Sequence, residues 1–157
     1  MHHITTRSIA EEHIFKDGGD YATGITQLAG LVAEGMVAVH AFCFMPTHYH
    51  VLGTFTDTTI FTHKLNRRYA VAYNRRYRRR GHVFDSPPSV TPVVSLRHLR
   101  NALRYIATNP SEHETWAYSS YPGLVGLRPS FAFVDTEPIL EMVGSAETIQ
   151  EFVTKDV

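Results

Sequence analysis

The sequence predicts an α+β fold: a ferredoxin-like split β-α-β core, its antiparallel sheet covered by helices on one face, with extra helices at the C-terminus. Three observations carry this. Two β-branched and aromatic runs, VAVHAFCFM at 37–45 and HYHVLGTF at 48–55, are separated only by Pro46 and Thr47, a turn signal. Apolar residues recur at helical spacing on either side of this hairpin. The resulting order is strand, helix, strand, strand, helix, with room for a fourth strand, as in the split β-α-β layout.

Taken in order, HHITTR at 2–7 alternates and reads as the first strand. Ile25, Leu28, Leu31 and Val32 predict a helix over 21–35, with Gly35 as its stop. The hairpin follows. A second helix is expected from Thr59 to Arg79, with Leu65, Tyr69, Ala72, Tyr73 and Tyr77 on one side and Gly81 at its end. His82–Phe84 reads as a short strand. The three prolines of DSPPSVTPV, 85–93, predict a loop or an edge segment. SLRHLRNALRYIATN, 95–109, is a helix capped by Ser95, with Leu96, Leu99, Leu103 and Ile106 as its apolar stripe. Pro110 stops it, because the residue before proline disfavours helical backbone. TEPILEMVG and SAETIQEFVTK predict two closing helices. The 157 residues suit one domain, with a core over about 1–110 and a helical extension over about 111–157.

Composition narrows the function classes. No stretch approaches the roughly 18–20 apolar residues that cross a bilayer, so no membrane partner is expected. The N-terminus lacks the basic and apolar regions of a signal peptide. Cys43 is the single cysteine, which rules out an internal disulfide framework and suits a reducing compartment. The cytoplasm is the expected location.

Net charge is zero, yet the charges are segregated. Lys64, Arg67, Arg68, Arg75, Arg76, Arg78, Arg79 and Arg80 lie in one stretch without an acidic residue, and Arg97, Arg100 and Arg104 follow. The C-terminal part is acidic. Such a segment repels itself unless something neutralises it, and a polyanion such as nucleic acid is the expected partner. Tyr69, Tyr73 and Tyr77 offer stacking platforms for bases, but their four-residue spacing favours core packing.

Two further features carry chemistry. In a strand, residues i and i+2 share a face, so His48 and His50 project together and Tyr49 opposes them. Two imidazoles at that spacing can chelate one metal ion, or serve as two separately hydrogen-bonded histidines. Without CxxC, HExxH or HxxxH, structural zinc is not indicated, and a third ligand must come from another element. Tyr105 and Asn109 are four apart and share a helix face. Beside a bound divalent cation, a tyrosine hydroxyl can attack a phosphodiester, because the metal draws charge from the transition state. A phenol, which ionises near about pH 10 in water, needs help to react at neutral pH. On spacing alone, a packing tyrosine and a C-terminal capping asparagine are the favoured explanation of the pair.

MPTHYH, NRRYRRRGHVF, LRYIATNP and WAYSSY, in that order, resemble the REP-associated tyrosine transposases of the wider HUH single-strand transposase superfamily. The resemblance runs from about residue 2 to the tail, where ILEMVGS matches the family's ending. It implies that His48 and His50 hold Mg²⁺ or Mn²⁺, that Asn109 is the third, amide-bearing ligand, and that Tyr105 is the nucleophile. It implies cleavage of single-stranded DNA beside a hairpin through a covalent 5′-phosphotyrosine, followed by rejoining without ATP, in a monomer or a homodimer. The chain departs from the family pattern at three places. Thr47 stands where the family usually has asparagine, Asp85-Ser86-Pro87-Pro88 replaces a basic-aromatic segment, and the stretch after Pro110 is acidic and shorter. These departures leave the candidate catalytic groups intact and bear on target recognition.

Three readings compete. The first is a metal-dependent transposase-like nuclease and strand transferase. The second is a domesticated or inactive hairpin-binding protein of the same fold. The third is a metal phosphodiesterase acting through water. For the first, Tyr73 and Tyr77 are the rival nucleophiles.

Overall fold

A computed structural model describes residues 1–155. Four strands, β1 (His2–Arg7), β2 (Val37–Met45), β3 (His48–Phe55) and β4 (Ser89–Pro92), form one sheet. Six helices accompany them: α1 (Gly18–Ala33), α2 (Thr58–Tyr77), α3 (Leu96–Thr108), α4 (Tyr121–Leu124), α5 (Glu137–Val143) and α6 (Ala146–Thr154). The strand order is β2-β3-β1-β4, with every neighbouring pair antiparallel. Strand β3 therefore lies between β1 and β2, and β1 lies between β3 and β4. The split β-α-β unit occurs twice, once around α1 and once around α2.

The first three strands have the boundaries expected from sequence. The fourth strand is Ser89–Pro92, pairing Ile4 with Val90 and His3 with Thr91. Phe84 contributes only an isolated bridge to Ser8. An edge strand needs backbone partners on one side only, so the proline-rich stretch can supply it. Helix α1 starts at Gly18, earlier than the apolar spacing indicates, because Asp17 caps it by accepting from the Asp20 amide at 3.0 Å. Helix α2 stops at Tyr77, where Arg78 takes a left-handed conformation (φ 51°), rather than running on toward Gly81.

Alternation along the strands sorts the side chains between two cores. Ile4, Phe42, Phe44, Tyr49 and Val51 are buried with Leu28, Leu31, Phe61, Leu65, Tyr69 and Tyr73 of α1 and α2. Ala41, Cys43 and Leu52 are buried with Leu99, Leu103, Ile106, Ile139 and Ile149 of α3, α5 and α6. The helices of the split motif thus occupy one face, as expected, while α3 and the C-terminal helices cover the other. The near-continuous apolar run of β2 is the matching signal, since a strand buried on both faces has no polar side.

Helix α3 begins at Ser95, whose hydroxyl accepts from the His98 amide at 3.1 Å. Ser95→Ala is expected to cost about 1 kcal/mol. That corresponds to a fall of roughly 2–4 °C in the midpoint of a thermal unfolding scan. Among the described residues no helix is long and apolar enough to cross a membrane.

Candidate active site

The site is built where β3, β1 and α3 meet. Strand parity turns His48 and His50 toward the α3 side of the sheet, the side of Leu52, and their ring centroids lie 5.0 Å apart. Helix α3 brings Tyr105 over them, its ring 5.2 Å from that of His50 in an edge contact. One turn later Asn109 ends the helix, with Oδ1 2.8 Å from His48 Nε2. His48, His50, Tyr105 and Asn109 are therefore gathered in one place, although 61 positions separate His48 from Asn109.

The two imidazoles are held by their other nitrogens. His48 Nδ1 lies 3.0 Å from Thr47 Oγ1, so Thr47 orients the ring beside it. His50 Nδ1 lies 3.0 Å from Thr5 Oγ1 and 3.1 Å from His3 Nε2. His50 Nε2 is buried and has no hydrogen-bond partner among the described residues. If His50 Nδ1–H donates to the Thr5 hydroxyl, its Nε2 keeps a lone pair for a ligand, whereas His48 Nε2 faces the Asn109 carbonyl oxygen, to which it donates in the absence of a ligand. Burial lowers the pKa of His48. Burial, reinforced by His48, His3 and the charge of Arg7, pushes His50 down to about 2. Both rings are accordingly neutral at neutral pH.

The donor set can be tested against a divalent cation. Two imidazole nitrogens and an amide oxygen suit Mg²⁺, Mn²⁺ and neighbouring ions. The unpartnered His50 Nε2 is the kind of buried polar atom that a ligand would satisfy. Among the described residues no three His, Cys, Asp or Glu side chains group as a metal site, and the oxygen donor nearest His48 Nε2 is the Asn109 amide, 2.8 Å away. The residues fit the group.

Tyr105 is half exposed, at 48 %, and its hydroxyl has no partner among the described residues. The rival tyrosines lie elsewhere. Tyr49 is buried on the other side of the sheet, donating to Asn66 Oδ1 at 2.6 Å. Tyr73 is buried in the α1–α2 core, and Tyr77 donates to Asp20 Oδ2 at 2.6 Å. Tyr69 donates to the Ile14 carbonyl and is also buried, so this tyrosine series is packing.

Sequence reading missed three residues of β1. His3, Thr5 and Arg7 share the face of His48 and His50, because Thr5 pairs with His50 and Arg7 with His48. The His3 ring lies 6.1 Å from Tyr105. Period-two alternation in HHITTR was the available signal, but it names a face only once the pairing register is known.

The basic residues divide. Glu34 of the α1 end takes Arg68 in a two-pronged pair at 2.5 and 2.9 Å, with Lys64 at 3.9 Å. Arg76 bonds both Asp17 and Asp20. Arg79 donates to Asn74 Oδ1 and the His82 carbonyl. Acidic residues distant in sequence thus answer part of the repulsion that the local charge pattern implied. Arg67, Arg75, Arg78, Arg80, Arg97 and Arg100 are exposed and have no acidic partner among the described residues. The α2 cations lie across the sheet from Tyr105, whereas Arg97 and Arg100 share its helix. Arg104 donates to the Phe152 carbonyl at 2.7 Å and stacks on that ring, tying α3 to α6. A groove of about 700 Å³ between α2 and residues 81–90 includes Arg67, His63 and His82 in its lining.

No family model matches this chain, and no curated protein matches it. Its fold is similar to that of a solved REP-associated tyrosine transposase bound to a REP hairpin, with a TM-score of 0.68 over 86 % of each chain and 13 % sequence identity.

Proposed function

We propose that this protein is a metal-dependent, transposase-like nuclease and strand transferase for single-stranded DNA next to hairpins. The observation that carries this reading is the convergence of Tyr105, His48, His50 and Asn109 on one sheet face. The similar fold of a hairpin-bound transposase supports it.

The Tyr105 hydroxyl gives its proton to solvent as its oxygen forms a bond to a backbone phosphorus, and the bond from phosphorus to the 3′ oxygen breaks. The leaving oxygen takes a proton and becomes a free 3′-hydroxyl, while the 5′-phosphate stays on Tyr105. Attack by a 3′-hydroxyl reverses the step without ATP, because one phosphodiester replaces another. His48, His50 and Asn109 would hold Mg²⁺ or Mn²⁺, which supplies positive charge to the phosphate oxygens. Thr47 and Thr5 keep the imidazoles oriented. Tyr105 lies 5.2 Å from His50 of its own chain, an arrangement that suits a monomer and leaves a homodimer open.

Arg67, Arg75, Arg78, Arg80, Arg97 and Arg100 are the best phosphate contacts for positioning the DNA, having no carboxylate to leave. If about five phosphates are neutralised on a single strand, log K falls against log salt with a slope of roughly −3 to −4. Titrations of labelled hairpin DNA between low and moderate salt measure that slope. Arg67→Ala is expected to flatten it by about 0.7.

The test of the reaction is a panel of labelled single-stranded hairpins incubated with Mg²⁺ or Mn²⁺ and run on a denaturing gel. The expected result is a shifted covalent species that EDTA abolishes. Tight hairpin binding with no such species would favour a binding protein that keeps the fold, a reading to which the acidic, proline-rich 85–88 segment lends some support. Metal-dependent cleavage without any adduct would favour water as the nucleophile.

A further inference from the structure

We propose that Arg7 is a further catalytic residue, its guanidinium binding the non-bridging oxygens of the phosphate that Tyr105 attacks. The inference rests on the reaction proposed above and adds a group that the motifs do not contain. Arg7 closes β1 and pairs in register with His48. Alternation places its side chain on the same sheet face as His3 and Thr5, and both of these meet His50 Nδ1. The backbone is pinned on either side of it. The Arg7 carbonyl accepts from the Asp85 amide at 2.8 Å, and the Ser8 amide donates to the Thr47 carbonyl at 2.8 Å.

The charge of Arg7 is uncommitted. It is exposed and has no carboxylate partner among the described residues, in contrast with Arg68 and Arg76. Its position in β1 is directly opposite His48, on the face to which His48 and His50 point. A cation held at the rim of a site that already gathers neutral imidazoles is suited to an anion. A phosphate fits best, because the planar guanidinium fork engages two of its oxygens together. During transfer, charge on those oxygens is what fixed donors stabilise. Arg7 differs in role from the α2 arginines, which lie across the sheet and can hold DNA only at a distance from the reacting phosphorus.

The test starts from a hairpin that gives an adduct with the wild-type protein, so that the scissile phosphate is mapped. An oligonucleotide with one neutral methylphosphonate at that phosphate is then compared with natural DNA for binding in EDTA. Wild-type protein is expected to bind the modified strand about tenfold more weakly. For Arg7→Ala the penalty should shrink below about twofold, and the adduct rate with metal on natural DNA should fall at least about 100-fold. Arg7→Lys should regain part of the binding but little of the rate. Circular dichroism of both variants, altered only at an exposed strand end, should match the wild type. A full methylphosphonate penalty in Arg7→Ala, or an unchanged adduct rate, would overturn the role of Arg7 alone. Failure of the wild-type protein to form an adduct with any hairpin would instead remove the underlying reaction, and the role of Arg7 with it.

Discussion

Tyr105→Phe is expected to lower covalent adduct formation by at least about 10⁴-fold, while hairpin binding stays within about twofold of the wild type. Loss of a nucleophile removes the reaction path itself, so a deficit of that order is usual for groups that form the covalent intermediate. The substitution is otherwise mild. Tyr105 is half exposed, its hydroxyl has no partner among the described residues, and its edge contacts with His50 and His3 involve only the ring, which phenylalanine keeps. Thermal stability should therefore move by no more than about 0.5 kcal/mol. Gel quantification of adduct against time, with binding measured separately by anisotropy, separates the two effects.

The second large effect is on metal binding. His48→Ala and His50→Ala are each expected to weaken Mn²⁺ binding at least about 100-fold in a titration followed by electron paramagnetic resonance, since each removes a direct ligand. The two variants should differ in stability. His50 is fully buried, and truncating it opens a cavity worth roughly 2–4 kcal/mol. His48 is only partly buried and should cost much less. Equal metal affinity in wild type and His50→Ala would exclude the histidine pair as the metal centre.

The same burial gives the metal-free protein a pH signature. The pKa values of His3, His48 and His50 are all lowered in the fold, chiefly by burial. Above about pH 6.5, folded and unfolded histidines are alike neutral and the shifts contribute nothing. As pH falls below that value, the unfolded chain takes up protons that the folded site refuses. Acidification then destabilises the fold by up to about 1.4 kcal/mol per pH unit for each histidine that stays neutral. For His50 the window extends down toward about pH 2. Urea unfolding in EDTA at pH 7.5 and pH 5.5 should show the loss, and His50→Gln should reduce it.

The hairpin, the capped helix of Tyr105 and the shared face of His48 and His50 were legible because each depends on local periodicity or a local cap. The strand of residues 89–92 was legible only as a loop or an edge segment, since prolines disguise an edge strand whose pairing is set by β1 rather than by its own pattern. The cover on the second sheet face was hidden similarly: the helices at 137–143 and 146–154 reveal an apolar stripe but not the surface it meets. The contribution of β1 to the site depends on register, and the partial neutralisation of the α2 arginines depends on acidic residues 34 and 59 positions away. Both are tertiary facts that no local reading reaches.

The most direct measurement is mass spectrometry of the adduct after exhaustive nuclease and protease digestion. A 5′-phosphonucleotide on the peptide containing Tyr105 is the expected result, with none on peptides containing Tyr49, Tyr73 or Tyr77. A nucleotide on any other residue, or cleaved DNA with no modified peptide at all, would contradict the assignment of Tyr105 as the nucleophile.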